Sequence, residues 1–199
     1  MNKYVSILIS LVFLSCSHQN EIHKDFNCKI TRYKNLEKLQ DLKNKFSVEL
    51  PKSWKTNFFF DTLQSSIYTA DTTKQLTETF LLDITIINQS IKFDRIFKLK
   101  QKQESIAKNL TNIASGETIL INKPAYYSFS KGIKRSYSYQ VCHYFINTNA
   151  QNFIHVKAEV YGDSLVNNRL CKAFTLLEKI KLNVIIYFFM GPLVIIINV

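Results

Sequence analysis

The chain has 199 residues, of which 46% are apolar, 13% aromatic and 21% charged. That length suits one domain, and that mixture can bury a core, which excludes disorder, collagen-like repeats and a multi-span membrane protein. Twenty-six Lys and Arg against fifteen Asp and Glu leave a net charge of +11, a balance that favours anionic partners. Only four of these cations are Arg (Arg32, Arg95, Arg135, Arg169). Base-reading proteins gather Arg into one patch, so no nucleic-acid partner is expected here.

Met1–Ser15 reads as a bacterial export signal. Lys3 supplies the positive start, and Val5–Leu14 is a ten-residue apolar run, about half the length that spans a bilayer. The run ends Phe13-Leu14-Ser15-Cys16 and resembles a lipobox, the processing signature of bacterial lipoproteins. A thiol takes the diacylglycerol, and a small residue before it gives the peptidase access. An ordinary signal cleaved after Ser17 is the alternative. The lipobox implies a lipid bilayer as partner through acylated Cys16, and Ser17 in place of Asp points by resemblance to the outer membrane. Cys28, Cys142 and Cys171 remain. They allow one disulfide in an oxidising compartment, but their spacing selects no pair. Cys142 lies in a strand pattern and Cys171 in a helix pattern, and both are expected as buried thiols.

Residues 16–45 are polar and read as a tether, with Leu36, Leu39 and Leu42 spaced for a weak helical turn. A domain spans 46–182. It opens on the alternating strand Phe46–Leu50, stopped by Pro51, and continues through strand patterns at Ser66–Ala70 and Phe80–Ile87. Between Ile91 and Ile113 the period changes. Ile96, Leu99, Gln103, Ile106, Leu110 and Ile113 step by three and four, which predicts an amphipathic helix with its lysines in water. Strands resume at Glu117–Ile121, Ala125–Ser130, Tyr137–Ile146 and Phe153–Tyr161, the last with Ile154, Val156, Ala158 and Val160 facing inward. Gly162-Asp163-Ser164 is expected to cap a final helix whose buried stripe is Leu170, Ala173, Phe174, Leu177 and Ile180. Strands clustered between two helices and joined by short turns predict an α+β domain, an antiparallel sheet flanked by helices.

Phe46-Ser-Val-Glu-Leu-Pro-Lys-Ser-Trp54 resembles the strand-Pro-Trp opening of the PsbP-like superfamily, and Ile121-Asn-Lys-Pro-Ala-Tyr126 is similar to that family's Ile-Asn-Gly-x-Pro-Ala-Tyr turn without its Gly. The resemblance implies an αβα sandwich used as a binding or assembly module in the cell envelope, with an envelope protein as possible partner.

Chemistry is sparse. Four glycines without Gly-rich spacing build no phosphate loop, Asp25, Asp61, Asp71 and Asp83 show no paired spacing, and Cys/His zinc patterns are absent. His143 and His155 flank one hairpin. They share a face if Ile146 pairs with Asn152 and oppose each other if it pairs with Phe153. Two ligands with Lys157 beside them make a poor cation site, so no catalytic, metal or cofactor-binding residue is assigned. Trp54, Tyr126 and Tyr127 read as core. Lys131-Gly-Ile-Lys-Arg135 reads as a solvated hairpin tip, with an anionic surface as its alternative partner.

The expected function is therefore a non-catalytic, membrane-anchored envelope lipoprotein. The alternatives are an envelope hydrolase with its site on the sheet face near His143, or a small hydrophobic-ligand carrier. Residues 183–199 carry no charge and admit three readings: a marginal membrane tail, an element packed on the domain, or an extension foreign to the fold.

Overall fold

The computed structural model describes residues 26–28, 32–183, 185–190 and 193–198; Met1–Ser15, expected as an export signal, and Cys16, expected as the lipidation site, lie outside the described residues. Short turns join most of the strands, so sequential neighbours pair. Strands β3 (Lys55–Phe60), β4 (Gln64–Ala70) and β5 (Leu81–Ile87) form a meander, and β6 (Thr111–Leu120), β7 (Lys123–Lys134), β8 (Tyr137–Asn147) and β9 (Phe153–Tyr161) form a second. The pairing of β5 with β9 fuses them into one seven-stranded antiparallel sheet, ordered β3-β4-β5-β9-β8-β7-β6. Helix α1 (Arg95–Ala107) carries the chain from mid-sheet β5 to edge strand β6. Two of the turns use left-handed pairs, Ile121–Asn122 (φ 46° and 59°) and Arg135–Ser136 (φ 50° and 67°). Those conformations match the right-handed twist of the strands they join.

Period two decides what the sheet buries. Leu82, Ile84, Ile154, Val156, Ala158, Val160, Cys142, Tyr144 and Ile146 point to one face and are buried. Helix α2 (Val166–Leu177) covers that inner face, with Phe174 edge-on to Tyr144 at 5.4 Å. A second, three-stranded sheet joins this core through Phe46, Val48 and Leu50; its order is β1 (Leu36–Gln40), β2 (Phe46–Pro51), β10 (Ile180–Leu182). Each of the large apolar side chains contributes about 1.5–3 kcal/mol when fully buried. Trp54 lies against this core too, edge-on to Phe80 at 5.1 Å.

Several expectations need correcting. Leu36 and Leu39 belong to a strand, because β2 offers a free edge for β1 to pair with. Packing also reaches further towards the N-terminus than Phe46: Phe26 is buried against Phe129 and Phe174, at 5.0 and 5.1 Å between ring centres. Cys171 is not a free thiol but is disulfide-bonded to Cys28 across a Cα–Cα distance of 5.3 Å; Cys142 is the free, buried one. Helix α2 starts without the Asp163 or Ser164 cap. Its N-cap is Leu165 at φ 48°, with no side-chain bond. The turn before it is held instead by Arg169, whose guanidinium donates to the carbonyls of Thr79 (3.0 Å), Tyr161 (2.8 Å) and Gly162 (3.0 Å). Ile180 lies in β10, beyond the helix.

The apolar tail forms β11 (Ile185–Met190) and β12 (Leu193–Asn198), an antiparallel hairpin that joins neither other sheet. Among the described residues no helix is long and apolar enough to cross a membrane.

Candidate binding site on the outer face

The outer face of the large sheet is mixed where the inner is apolar: two small clusters, around Tyr126, Phe145 and Phe153 and around Tyr139, Val141 and Tyr161, alternate with polar and charged side chains. Register places His143 opposite Lys157 and Phe145 opposite His155, with Ile146 paired to Ile154. This is neither register considered from the sequence, because the connection takes five residues, 148–152. The histidines nonetheless fall diagonally on one face. Nδ1 of His143 and Nε2 of His155 are 2.9 Å apart, and the rings lie 16° from coplanar with centres 5.1 Å apart. That spacing fits rings joined edge to edge, the N–H of one aimed at the lone pair of the other. The Phe145 ring lies parallel to His155 at 4.6 Å.

Burial penalises the imidazolium form, and Lys108 and Lys157 add like charge. The His143 pKa falls to about 4 from 6.5. For His155 burial, then His143 itself and the same two lysines, lower it to about 3. Both are neutral at pH 7. Among the described residues no carboxylate is bonded to either ring as one is to a catalytic imidazole, and no group of three His, Cys, Asp or Glu can hold a metal.

Beside them the sheet carries a charged network. Glu159, 5% exposed, accepts from the Tyr139 hydroxyl (2.5 Å) and Lys134 (2.9 Å), and Lys157 lies 3.5 Å from its other oxygen. Burial alone would raise the Glu159 pKa, but these donors outweigh it and hold it below the ordinary value. Lys134 also sits 4.6 Å from the centre of the Tyr139 ring, a cation–π contact. The segment expected as a solvated tip is therefore strand up to Lys134, and that lysine is turned back onto the sheet. The alternation His155-Lys157-Glu159 showed which residues share this face; nothing in the sequence showed that Lys134 and Tyr139 would meet them.

Helix α1 lies over this face. Asp94 caps it, accepting from the Phe97 amide at 2.9 Å. Phe97 packs against Tyr126 (5.4 Å) and Phe145 (5.1 Å), and Ser105 reaches Ser130 at 3.3 Å. The helix touches the sheet with Phe97, Ser105 and, through an ion pair to Glu117, Lys98, the reverse of the expectation. Ile96, Leu99 and Ile106 are 78%, 49% and 62% exposed, while Leu110 and Ile113 lie past the helix end. The floor is apolar only under the first turn, where Tyr126 and Phe145 take Phe97, and polar at Ser130, where the small Ser105 side chain packs.

Clefts flank the helix. One of about 440 Å³ runs from Ile91 and Lys92 to the two histidines; another of about 450 Å³ lies between α1 and β6–β7; a third of about 320 Å³ joins Lys108 to Glu159. Their walls hold eight basic side chains against three acidic ones, so much of the net positive charge gathers around α1.

No family model and no curated protein sequence matches the chain. Solved structures do. The cyanobacterial PsbP protein CyanoP from Synechocystis superposes with a TM-score of 0.53 at 11% identity, covering 78% of this chain and 96% of that one. The fold is PsbP-like. A variant of the protein Mog1 superposes at 0.50 and 6% identity, covering 75% and 96% of the two chains. LpqN of Mycobacterium tuberculosis, a protein involved in cell envelope biogenesis, reaches 0.40 at 11% identity over 73% and 88%. At these identities the likeness of the PsbP-like domain to CyanoP and Mog1 is one of fold alone.

Proposed function

We propose that the chain is a lipid-anchored protein of the bacterial cell envelope, acylated at Cys16, whose PsbP-like αβα sandwich binds an acidic envelope protein through α1. The observation that carries the reading is the stripe Ile96, Leu99 and Ile106, turned to solvent on a helix whose flanks are lysines. Apolar stripes that a domain does not bury itself mark interaction surfaces, and the excess of basic over acidic side chains around them favours a negatively charged partner. The Cys28–Cys171 bond is in keeping with an exported protein, since disulfides persist in oxidising compartments.

Two experiments test this. Radiolabelled palmitate should label the expressed chain and not Cys16→Ala; label that persists in the variant ends the anchor. A photo-crosslinking residue at Leu99 should capture one envelope protein, and the pair Ile96→Asp and Ile106→Asp, both at exposed positions, should abolish that capture without lowering the melting temperature. Capture that survives the pair ends the α1 interface.

The cleft that ends on His143 and His155 keeps a hydrolase as the second reading. A neutral imidazole at that depth could take a proton from a substrate, though no third group orients it. Its test is hydrolysis of envelope glycan or peptide, lost in His143→Gln.

A further inference from the structure

The strand register gives the large sheet two ends. The turn at Arg135–Ser136 marks one; the other gathers residues 61–63, 88–90 and 148–152, since Gln64 pairs with Ile87 and Ile87 with Phe153. At this second end Phe60 and Leu63 are each 65% exposed and Phe59 is 58% exposed. The loop that carries them is held firmly. Asp61 accepts from the amides of Leu63 (2.7 Å) and Gln64 (2.9 Å), and Asn88 bonds the Leu63 carbonyl from its amide at 2.8 Å. A rigid turn with three large apolar side chains in water is a costly surface for a finished domain.

Two other features meet there. Lys43, from the β1–β2 turn, donates to the Thr62 carbonyl at 3.2 Å, so that turn, with exposed Leu42 and Lys45, abuts the apolar loop. Asn183 bonds the carbonyls of Lys45 (2.9 Å) and Asn44 (3.2 Å), which fixes where the chain leaves the domain for the hairpin β11–β12. From Leu182 to Val199 that chain carries no charge.

We propose that this end is a membrane-contact face, which sets Phe60 and Leu63 into the acyl boundary of an anionic bilayer with Lys43 and Lys45 at headgroup level. Apolar tip, adjoining lysines and the exit of an uncharged segment are the three elements that interfacial binding combines. No third strand pairs with β11–β12 among the described residues, so its outer backbone groups suit the interface, where water and headgroups satisfy them, and not the hydrocarbon. The contact is independent of α1 and of the acyl group on Cys16.

The test places a diazirine amino acid at position 60, 63 or 133 of the full chain, bound to vesicles of phosphatidylcholine alone or mixed with phosphatidylglycerol. Ile133, 76% exposed at the opposite end of the sheet, is the control. Positions 60 and 63 should form phospholipid adducts on the anionic vesicles and position 133 should not. Lys43→Gln with Lys45→Gln should cut the yield about tenfold. Adducts no more frequent at 60 and 63 than at 133 would overturn the proposal. So would adducts to a second copy of the chain or to the 185–198 segment, which would identify those as the occupant. Cys16→Ala in parallel separates this contact from the anchor: equal yields keep the face and say nothing against acylation.

Discussion

His143 and His155 share a hydrogen bond, 2.9 Å from Nδ1 to Nε2, on a sheet face where burial, with Lys108 and Lys157, disfavours the charged form of either ring. An unfolded histidine binds its proton near pH 6.5, whereas these hold out to about 4 and about 3. The unfolded chain therefore takes up more protons throughout that window. Stability from the pair is complete above pH 6.5 and declines as the pH falls towards 4, by about 3 kcal/mol once the partial exposure of the rings is allowed for. Urea midpoints at pH 7, 5.5 and 4 should fall in step, and His155→Phe, which removes one of the two buried imidazoles, should reduce the dependence without abolishing it. A wild-type midpoint constant from pH 7 to 4 would contradict the burial of both rings in their neutral form.

Reduction of Cys28–Cys171 should destabilise the domain by about 5 kcal/mol, because the bridge closes a loop of some 140 residues. Dithiothreitol, or Cys28→Ala, should lower the melting temperature by about 10–20 °C. Cys142, buried and with its pKa pushed up to about 12, should not react with a thiol reagent before unfolding.

Arg169→Lys should cost about 3 kcal/mol. A lysine replaces a fork that serves three carbonyls from two directions with a single ammonium, leaving buried acceptors without donors. Denaturant titration gives the figure. Far-UV circular dichroism at low denaturant should remain unchanged, since the change loosens the β9–α2 junction and alters no strand pairing.

Asp41→Ala should cost about 2–3 kcal/mol. Its buried carboxylate accepts from the amides of Lys43 (2.9 Å), Lys45 (2.6 Å) and Phe46 (2.8 Å), donors that alanine would leave unpaired. Hydrogen exchange at those three amides should accelerate well before exchange in the large sheet.

Strands buried on one face were readable because alternation survives in a single sequence; Ile154, Val156, Ala158 and Val160 lie where that alternation put them. Helix α1 was readable as a helix but not in its orientation. Ile96, Leu99 and Ile106 define an apolar stripe, and a stripe does not disclose whether the domain or a partner will cover it. The first strand was hidden for a different reason. Leu36, Leu39 and Leu42 carry a helical spacing, and the edge of β2 overrides it by offering a ladder of hydrogen bonds. The histidine pair depended on a five-residue connection whose register neither alternative anticipated. Asp41 gave no signal, since an aspartate that organises a turn reads like any polar loop residue.

Phe26 is packed between Phe129 and Phe174, and it lies only ten residues beyond Cys16. A fully extended stretch of that length reaches about 35 Å, not much more than the thickness of one hydrocarbon core. An acyl group at Cys16 would thus hold the domain on a short leash. It could turn either end of its sheet to the bilayer but could not cross a wide periplasm, so any partner would have to come to the membrane surface to meet it.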